Sequence, residues 1–267
     1  MPLWAPAGGG WAARAAQTGL SWGVTAGLFL HGTDLQRQIE QGDLLQPFLF
    51  ISLVLCSVIL YFVVSLMNPG YVEDNEDEKG PPDGDQKATL FPQVPNVRLR
   101  RCGYCMVKQP LRAKHCQACQ HCVHRFDHHC PWIENCIGER NHPLFVLYLG
   151  VQLGVLLWAL QVAWSGLNFQ QFSWAWLQRN LVLLLSFLLI IVCTVVAMLL
   201  LASHLYLVSC NTTTWEFMSR HRISYLKHCK VENPFDQGVF VNLWRFFCAC
   251  RLMAWEKLYP TEESDLV

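Results

Sequence analysis

The sequence predicts an α-helical polytopic membrane protein, with four transmembrane helices and a small cysteine-rich domain between the second and the third. Of its 267 residues, 52% are hydrophobic and only 15% are charged, against roughly 25% charged in soluble domains. The formal net charge is zero, so bulk electrostatics points to no class of partner. This composition, together with long apolar stretches, is typical of a membrane protein.

Three uncharged stretches are long enough to cross a bilayer, which takes about 20 apolar residues. They are residues 44–67, 143–164 and 181–208. Soluble core helices of this length rarely lack a charge, so we interpret all three as spans. A fourth stretch, about Trp11–Leu30, is diluted by Arg14 and several glycines. Its charged region is too thin for a signal peptide, and we interpret it as the first span.

The distribution of lysine and arginine predicts the orientation of these spans. Residues 68–142 carry ten of the twenty and residues 209–267 carry seven, whereas the loops 31–43 and 165–180 carry one each. The positive-inside rule therefore places the cysteine-rich segment and the C-terminal tail in the cytosol. With four spans, the N-terminus is cytosolic as well.

The predicted organisation follows from the spans and their orientation. Residues 1–43 contain a cytosolic N-terminus, the first span and a short lumenal loop, and residues 44–67 form the second span. An acidic linker rich in proline and glycine covers 68–99, and the cysteine-rich domain covers 100–150 and runs into the third span at 143–164. Residues 181–208 form the fourth span, and residues 209–267 form the cytosolic tail.

Seven of the thirteen cysteines lie between residues 102 and 136, in a segment that faces a reducing compartment. Thiols in such a compartment are expected to bind metal or to do chemistry rather than to form disulfides. Cys-x2-Cys pairs suit tetrahedral zinc, and two structural zinc sites need eight ligands. Two histidines complete a set of six cysteines, which are Cys102, Cys105, Cys116, Cys119, Cys122 and Cys136. Cys130 is left over, and we interpret His121 and His124 as surface residues.

Cys130 ends the run Asp127-His128-His129-Cys130. A carboxylate, a base and a nucleophile are the parts of a nucleophilic triad. In an extended segment alternate side chains share a face, so His128 and Cys130 would face together and His129 would face away. One histidine can then serve the thiol while the other binds zinc. Asp127 does not fit this alternation and would need a local bend, or would have to reach around, to orient His128.

The segment Cys102–Asn141 resembles the cysteine-rich domain of the DHHC-type protein S-acyltransferases, also called palmitoyltransferases. Thr213-Thr214-Trp215-Glu216 resembles the Thr-Thr-x-Glu motif of that family, and Asn233–Gly238 resembles its C-terminal asparagine-containing motif. The resemblance covers about residues 44 to 245, and Gln109 stands where a basic residue is more usual. The matching residues of the cysteine-rich segment are Pro110, Arg112, His115, Cys116, Asp127 to Trp132, Asn135, Cys136 and Gly138.

The resemblance implies two structural Zn²⁺ sites and a catalytic group. The first zinc site would be Cys102, Cys105, His115 and Cys122, and the second would be Cys116, Cys119, His129 and Cys136. Cys130 would be the nucleophile, His128 its base and Asp127 the residue that orients His128. A nearby imidazolium lowers the pKa of a thiol and so favours the reactive thiolate.

The implied function is transfer of a long-chain fatty acyl group, palmitoyl, from acyl-CoA to cysteines of cytosolic or membrane-associated proteins through acyl-Cys130. Palmitoyl-CoA is then the co-substrate, and the other partners are membrane lipid and substrate proteins with accessible juxtamembrane cysteines, with no nucleic acid. Six basic residues are candidates to meet the CoA phosphates, namely Arg98, Arg100, Arg101, Arg112, Lys114 and Arg125. The resemblance implies a multi-pass protein of the Golgi apparatus or endoplasmic reticulum.

Three other functions are less compatible with the sequence. A catalytically silent zinc-domain adaptor would keep the metal ligands but would not need Asp127, His128 and Cys130 together. A nucleic-acid-binding zinc finger needs a recognition helix, which the spacing lacks. A metal transporter would carry carboxylates or histidines inside its spans, and the three uncharged spans offer only His204, near one end. The tail thiols Cys229, Cys248 and Cys250 are candidates for acylation, which we interpret as unmodified.

Overall fold

The computed structural model describes residues 10–73, 100–167, 173–227, 233–248, 253 and 255–259. Residues 74–99 of the predicted linker, together with Cys229 and Cys250, lie outside these described residues. The chain divides into two compact units. A helical unit contains Met1–Met67, Cys130–Asn135 and Pro143–Tyr206, and a cysteine-rich unit contains Asn68–His129, Cys136–His142 and Leu207–Val267.

Five helices account for most of the helical unit. They are α1 (Gly10–Leu30), α2 (Asp34–Gln41), α3 (Leu45–Leu66), α4 (His142–Gly166) and α5 (Trp174–Ser209). By length and composition, α3, α4 and α5 can each cross a membrane, so the chain is a multi-pass membrane protein. The helices α4 and α5 contain the predicted spans 143–164 and 181–208, and α3 covers the predicted span 44–67 except for its first and last residues. Among the described helices, α1 has 21 residues but is not one of those three, because Arg14 and its glycines dilute its apolar surface.

The helix α5 is longer than the span that the sequence predicts. It begins at Trp174 rather than at residue 181, so Arg179 lies in the first turns of a helix and not in a loop. The apolar stretch and the helix differ because hydropathy marks only the part of a helix that suits lipid, whereas polar residues at the end continue the same backbone hydrogen bonding.

Small residues allow close packing at the end of the helical unit where α1 joins α2. A Cβ atom on Gly166 would lie 2.7 Å from Leu183 Cδ2 and 3.0 Å from Thr33 Cγ2, so a larger side chain would force these elements apart. Next to it, the Asp34 amide donates to Ser165 Oγ over 2.9 Å. The buried core between the helices includes Leu28, Phe50, Val54, Ala163, Leu183 and Ile190.

The described part of the cysteine-rich unit contains one small sheet, part of a second one and three short α-helices. Strands β1 (Lys114–Cys116) and β2 (His121–Val123) are antiparallel, with His115 opposite Cys122. Strands β3 (His128–Cys130) and β4 (Asn135–Ile137) form the other two-stranded sheet. The helices are α6 (Thr214–Ser219), α7 (Ser224–Lys227) and α8 (Val239–Cys248). Strands of three residues bury little surface, so other interactions must hold this unit together.

A buried ion pair at the centre of this unit joins the Thr-Thr-x-Glu motif to the cysteine-rich segment. Arg112 donates to both carboxylate oxygens of Glu216, over 2.7 and 2.6 Å. Its guanidinium lies between the rings of Phe235 and Trp255, 4.4 Å from each centroid. Thr213 and Glu216 also form a capping box at the start of α6, which satisfies backbone donors at the helix end.

The C-terminal asparagine motif supports the same region. The Asn233 amide donates to the carbonyl of Cys210 and, over 3.0 Å, to Thr212 Oγ1. Asn242 donates to the carbonyl of Ser209, the last residue of α5, over 2.8 Å. The tail therefore binds carbonyls that a helix end leaves without partners.

Candidate active site and metal centres

The cysteine-rich unit contains a first cluster of metal-ligand side chains, formed by Cys102, Cys105, His115 and Cys122. Their ligand atoms all lie within 4.8 Å of one another. His115 Nδ1 is 3.0 Å from Cys105 Sγ and 3.9 Å from Cys122 Sγ. Ligand atoms around one tetrahedral zinc are about 3.5–3.8 Å apart, given bond lengths of about 2.0–2.3 Å. The cluster can therefore hold a metal ion of this kind.

The second cluster consists of Cys116, Cys119, His129 and Cys136, again within 4.8 Å of one another. His129 Nδ1 lies 3.4 Å from Cys119 Sγ and 3.7 Å from Cys136 Sγ. Three sulfurs and one nitrogen at these spacings fit a tetrahedral ion. The structure thus brings together both sets of four residues that the family resemblance implies, and each set can hold a metal ion. No disulfide occurs among the described cysteines.

Asp127 and His128 form a hydrogen-bonded pair at the start of β3. Asp127 Oδ2 accepts from His128 Nδ1 over 2.6 Å, and the Asp127 side chain is fully buried. Its other oxygen, Oδ1, accepts from the backbone amide of Thr214 over 2.8 Å. Asp127 precedes β3, so the alternation of that strand does not apply to it, and its carboxylate reaches the ring of the next residue. Because a carboxylate only accepts, Nδ1 donates and Nε2 of His128 remains to take a proton.

Cys130 belongs to the helical unit together with the turn that follows it. The thiol residue is 8% exposed. Residues of α3 and the residue that follows it hold the turn. Tyr61 Oη donates to the carbonyl of Trp132 over 3.0 Å, and Ser65 Oγ donates to that of Ile133 over 2.6 Å. The carbonyls of Val64 and Met67 accept from Asn135 Nδ2.

An apolar cavity of about 450 Å³ lies within the helical unit, and Cys130 is part of its wall. Side chains from α1, α3, α4 and α5 line it, from Tyr61 near the turn to Phe50 eleven residues earlier on α3. At about 1.5 Å per residue, these two positions are about 16 Å apart along the helix. Phe50 is fully buried and meets the Trp158 ring edge-on, with centroids 5.5 Å apart. A pocket of this size and composition suits a long hydrocarbon ligand.

A basic groove of about 200 Å³ lies in the cysteine-rich unit. Arg100, Lys114 and Arg222 line it, with Trp215 and Tyr225 as aromatic walls. Lys114 Nζ lies 3.2 Å from the centre of the Trp215 ring, and burial lowers its pKa. The groove therefore presents cations and rings to a ligand, a combination that suits a negatively charged aromatic group.

Two of the six basic residues that are candidates to meet the CoA phosphates are buried and bonded within the protein. Arg112 is buried in its ion pair with Glu216. Arg125 is also buried and donates to Asn211 Oδ1 over 3.1 Å, and burial together with Arg112 lowers its pKa to about 10. Both cations therefore have partners inside the protein, and Arg112 also lies in the lining of the basic groove, so their contact with the CoA phosphates stays a prediction. Arg98 lies outside the described residues.

Sequence reasoning did not identify the residues that hold the turn after Cys130. Tyr61 and Ser65 are polar side chains near the end of an apolar span, and only this pattern marks them. Polar groups inside a span are costly unless paired, so their presence signals a partner. The sequence alone cannot show which carbonyl that partner is.

Comparison with known proteins gives a consistent result. Residues 96–221 match the family described as DHHC palmitoyltransferase. The chain is 53% identical to Palmitoyltransferase ZDHHC12 of Mus musculus and 52% identical to that of Homo sapiens, each over 99% of this chain and 98% of the relative. It is 54% identical to Palmitoyltransferase ZDHHC12-A of Danio rerio over 92% of this chain and 93% of the relative.

Proposed function

Because the chain belongs to the DHHC palmitoyltransferase family and is thus a protein S-acyltransferase, we propose that it works through an acyl-Cys130 intermediate. Palmitoyl-CoA donates the acyl group, and cysteines of cytosolic or membrane-associated proteins receive it. The observation that carries the proposal is the position of Cys130 on the wall of the apolar cavity. An acyl chain inside that cavity has its thioester beside the thiol.

The first half-reaction is attack of Cys130 Sγ on the thioester carbonyl. His128 Nε2 takes the thiol proton, while Asp127 holds Nδ1 through the 2.6 Å hydrogen bond. A new carbon–sulfur bond to Cys130 forms as the bond to CoA breaks, and the CoA sulfur leaves with the proton from His128. His128 and Cys130 are alternate residues of β3, which favours side chains on one face.

The second half-reaction repeats this chemistry with a protein thiol. The incoming thiol loses its proton to His128 and attacks acyl-Cys130, and Cys130 leaves as a thiolate and regains the proton. One thioester replaces another in each half, so no ATP is required. Water would hydrolyse the intermediate, and burial of Cys130 at 8% exposure limits its access.

The cavity gives the reaction a reason to occur in a membrane. Exposing an acyl chain to water costs about 0.8 kcal/mol per CH₂. Tyr61, Ile133 and Phe50 contribute to an apolar wall in which the chain is shielded. Phe50 is a firm part of this wall because its ring packs against Trp158.

Two structural Zn²⁺ ions are the metal ions that best fit the two clusters. The first would bind Cys102, Cys105, His115 and Cys122, and the second would bind Cys116, Cys119, His129 and Cys136. Each set supplies four ligands, so neither ion has a position open for substrate. Zinc would therefore hold together strands that are too short to be stable alone, and it would take no part in acyl transfer.

The basic groove is our candidate for the CoA phosphates. Arg100, Lys114 and Arg222 supply charge, and Trp215 supplies a ring. The backbone amide of Trp215 donates to the carbonyl of Asp127 over 3.2 Å, so one wall of the groove is connected to the proposed catalytic pair. Gln109, which stands where the family usually has a basic residue, also lines the groove.

The contacts of α1 support a topology with four spans. In this topology both termini and the cysteine-rich unit lie in the cytosol. Arg14, near its start, bonds to Ser65 near the end of α3, whereas Thr33, just after it, packs against Gly166 at the end of α4. A helix of 21 residues is about 31 Å long, close to the hydrocarbon thickness of a bilayer.

We propose that the protein resides in the membrane of the Golgi apparatus or of the endoplasmic reticulum. Microscopy of the tagged protein tests this localisation.

The alternative function is a catalytically silent zinc-domain adaptor. Incubation of the purified protein with a labelled palmitoyl-CoA analogue separates the two functions. We expect a hydroxylamine-sensitive label on the wild type and none on Cys130→Ser. Cys193→Ser is the matched control, since Cys193 also lines the cavity, and it should label normally. A label that persists on Cys130→Ser would exclude Cys130 as the acyl carrier.

A further inference from the structure

We propose that Arg14, in the first helix, is a positioning residue for the proposed nucleophile. This inference rests on the proposed role of Cys130. Arg14 is only 2% exposed, and it lies on a helix that is otherwise largely apolar. A charge inside such a helix is costly and is kept only with a specific partner.

The partner of Arg14 is Ser65, a buried residue near the end of α3. Arg14 Nε donates to Ser65 Oγ over 2.7 Å, and a terminal nitrogen approaches the Ser65 carbonyl at 3.5 Å. The same hydroxyl lies 2.6 Å from the carbonyl of Ile133. A hydroxyl has one proton to give. Because Arg14 can only donate, the hydroxyl of Ser65 accepts from it and directs its own proton to Ile133.

The peptide that Ser65 holds is a constrained one. Glu134, which follows Ile133, has a φ of 53°, a left-handed conformation that is uncommon for a residue with a side chain. Such a conformation persists where surrounding contacts fix it. The direction of the Ile133 carbonyl is thus set by Ser65, and the direction of the Ser65 hydroxyl is set by Arg14.

The hydrogen bonds from Arg14 to Ser65 and from Ser65 to the carbonyl of Ile133 form a relay. This relay fixes the turn that begins at Cys130. Ile133 is three residues from Cys130, is 2% exposed, and lines the cavity with Cys130. The carbonyl of Trp132, between them, is held by Tyr61. Cys130 therefore starts a turn that is fixed to α3 at consecutive carbonyls, and Arg14 makes α1 part of that support. The first helix then contributes to the rate of thiol acylation and not only to the membrane anchor.

The test measures acylation of the purified full-length chain in nanodiscs, with palmitoyl-CoA varied to saturation. We expect Arg14→Met to lower the rate constant at saturation about tenfold or more, the loss expected for a charge-assisted hydrogen bond. The concentration for half-maximal rate should change less than about twofold, because Arg14 does not line the cavity. Arg14→Lys keeps a donor for Ser65 and should recover most of the rate.

Three further variants make the result specific. Ser65→Ala should slow acylation as Arg14→Met does, and the double variant should be no slower than either, because both interrupt one relay. Arg37→Met is the matched control: Arg37 is an exposed arginine bonded to Asp34, and its loss should leave the rate unchanged. The metal content and melting temperature of each variant report whether it is folded.

Several outcomes would overturn the inference. One is wild-type acylation by folded Arg14→Met. Another is wild-type acylation by Ser65→Ala, which removes a single oxygen and decides the matter even where Arg14→Met does not fold. Effects that multiply in the double variant would also contradict it. Labelling of Cys130→Ser would instead contradict the proposed acyl-Cys130 intermediate. Failure of the role of Arg14 can therefore be distinguished from failure of the proposed function.

Discussion

Asp127 and His128 are neighbours in the chain, and Asp127 Oδ2 lies 2.6 Å from His128 Nδ1. The second carboxylate oxygen accepts the amide of Thr214 over 2.8 Å, so the carboxylate is fixed from two directions. His129 belongs instead to the second metal-ligand cluster. Two adjacent histidines of β3 therefore meet different surroundings, one a carboxylate and the other three thiols.

Replacing Asp127 with asparagine tests the proton positions in this pair. The asparagine carbonyl can still accept from Thr214, but its amide would donate to His128 Nδ1 and leave the proton on Nε2. We expect Asp127→Asn to slow acylation of Cys130 at least about a hundredfold. Rapid-quench measurement of the first turnover gives this rate.

The matched control for that variant is Asp34→Asn, at an exposed carboxylate that pairs with Arg37. It should acylate at the wild-type rate. Asp127→Asn should also keep the metal content of the wild type, because Asp127 is not in either four-residue cluster. Normal acylation by Asp127→Asn would show that the carboxylate does not set the tautomer of His128.

The part of the cavity that Phe50 lines, about 16 Å along α3 from Tyr61, should set the length of acyl chain that the enzyme prefers. Phe50→Ala removes a buried ring and lengthens the space beside Trp158. We expect the variant to favour acyl-CoAs longer than the preferred chain of the wild type. Competition among acyl-CoAs of different length, read by mass spectrometry of Cys130, measures the change. Phe48→Ala is the control, since Phe48 is 68% exposed, and an unchanged profile in Phe50→Ala would contradict the role of Phe50.

Arg222 should contribute to binding of acyl-CoA through its position in the basic groove. Arg222→Gln should raise the KM for acyl-CoA a few-fold, on the order of 1 kcal/mol or less for an exposed charge, with little change in kcat. The difference from wild type should shrink as salt is added. Arg220→Gln, outside the groove lining, is the control, and an equal KM effect from both variants would argue against a specific phosphate site.

The buried pair of Arg112 and Glu216 should be essential for stability of the cysteine-rich unit. Glu216→Gln leaves the Arg112 charge without its partner, at a cost of about 3–5 kcal/mol in the free energy of unfolding. Thermal unfolding of the full chain measures the loss, with the exposed Glu40→Gln as the control. A melting temperature equal to that of the wild type would contradict this role.

The same pair predicts a pH dependence. Burial opposes ionisation of Glu216, but the Arg112 charge and hydrogen bonds outweigh it and hold the pKa of Glu216 below its ordinary value. The pair therefore adds stability above the unfolded-state pKa of about 4.3, and this stability is lost as pH falls through the lower folded-state pKa. Glu216→Gln should show a smaller loss of stability with acid than the wild type. Equal acid sensitivity in both would contradict the assignment.

The sequence allowed prediction of those features that depend on local patterns. Uncharged stretches predicted α3, α4 and α5, and the family motifs implied the two sets of four metal ligands. Interactions between residues that are distant in the sequence could not be predicted. Arg112 and Glu216, for example, are 104 positions apart. A basic residue also looks the same in the sequence whether its side chain contacts solvent or a carboxylate. The support of the Cys130 turn by Tyr61 and Ser65 was missed for the same reason.

The division of the Asp-His-His-Cys run between scaffold and chemistry is tested most directly by counting bound zinc in two variants of the purified protein. We predict that Cys130→Ser keeps the zinc content of the wild type and accepts no acyl label, because Cys130 is in neither metal-ligand cluster. His129→Ala should lose zinc and destabilise the domain. Loss of zinc from Cys130→Ser, or full retention of zinc by His129→Ala, would contradict the account.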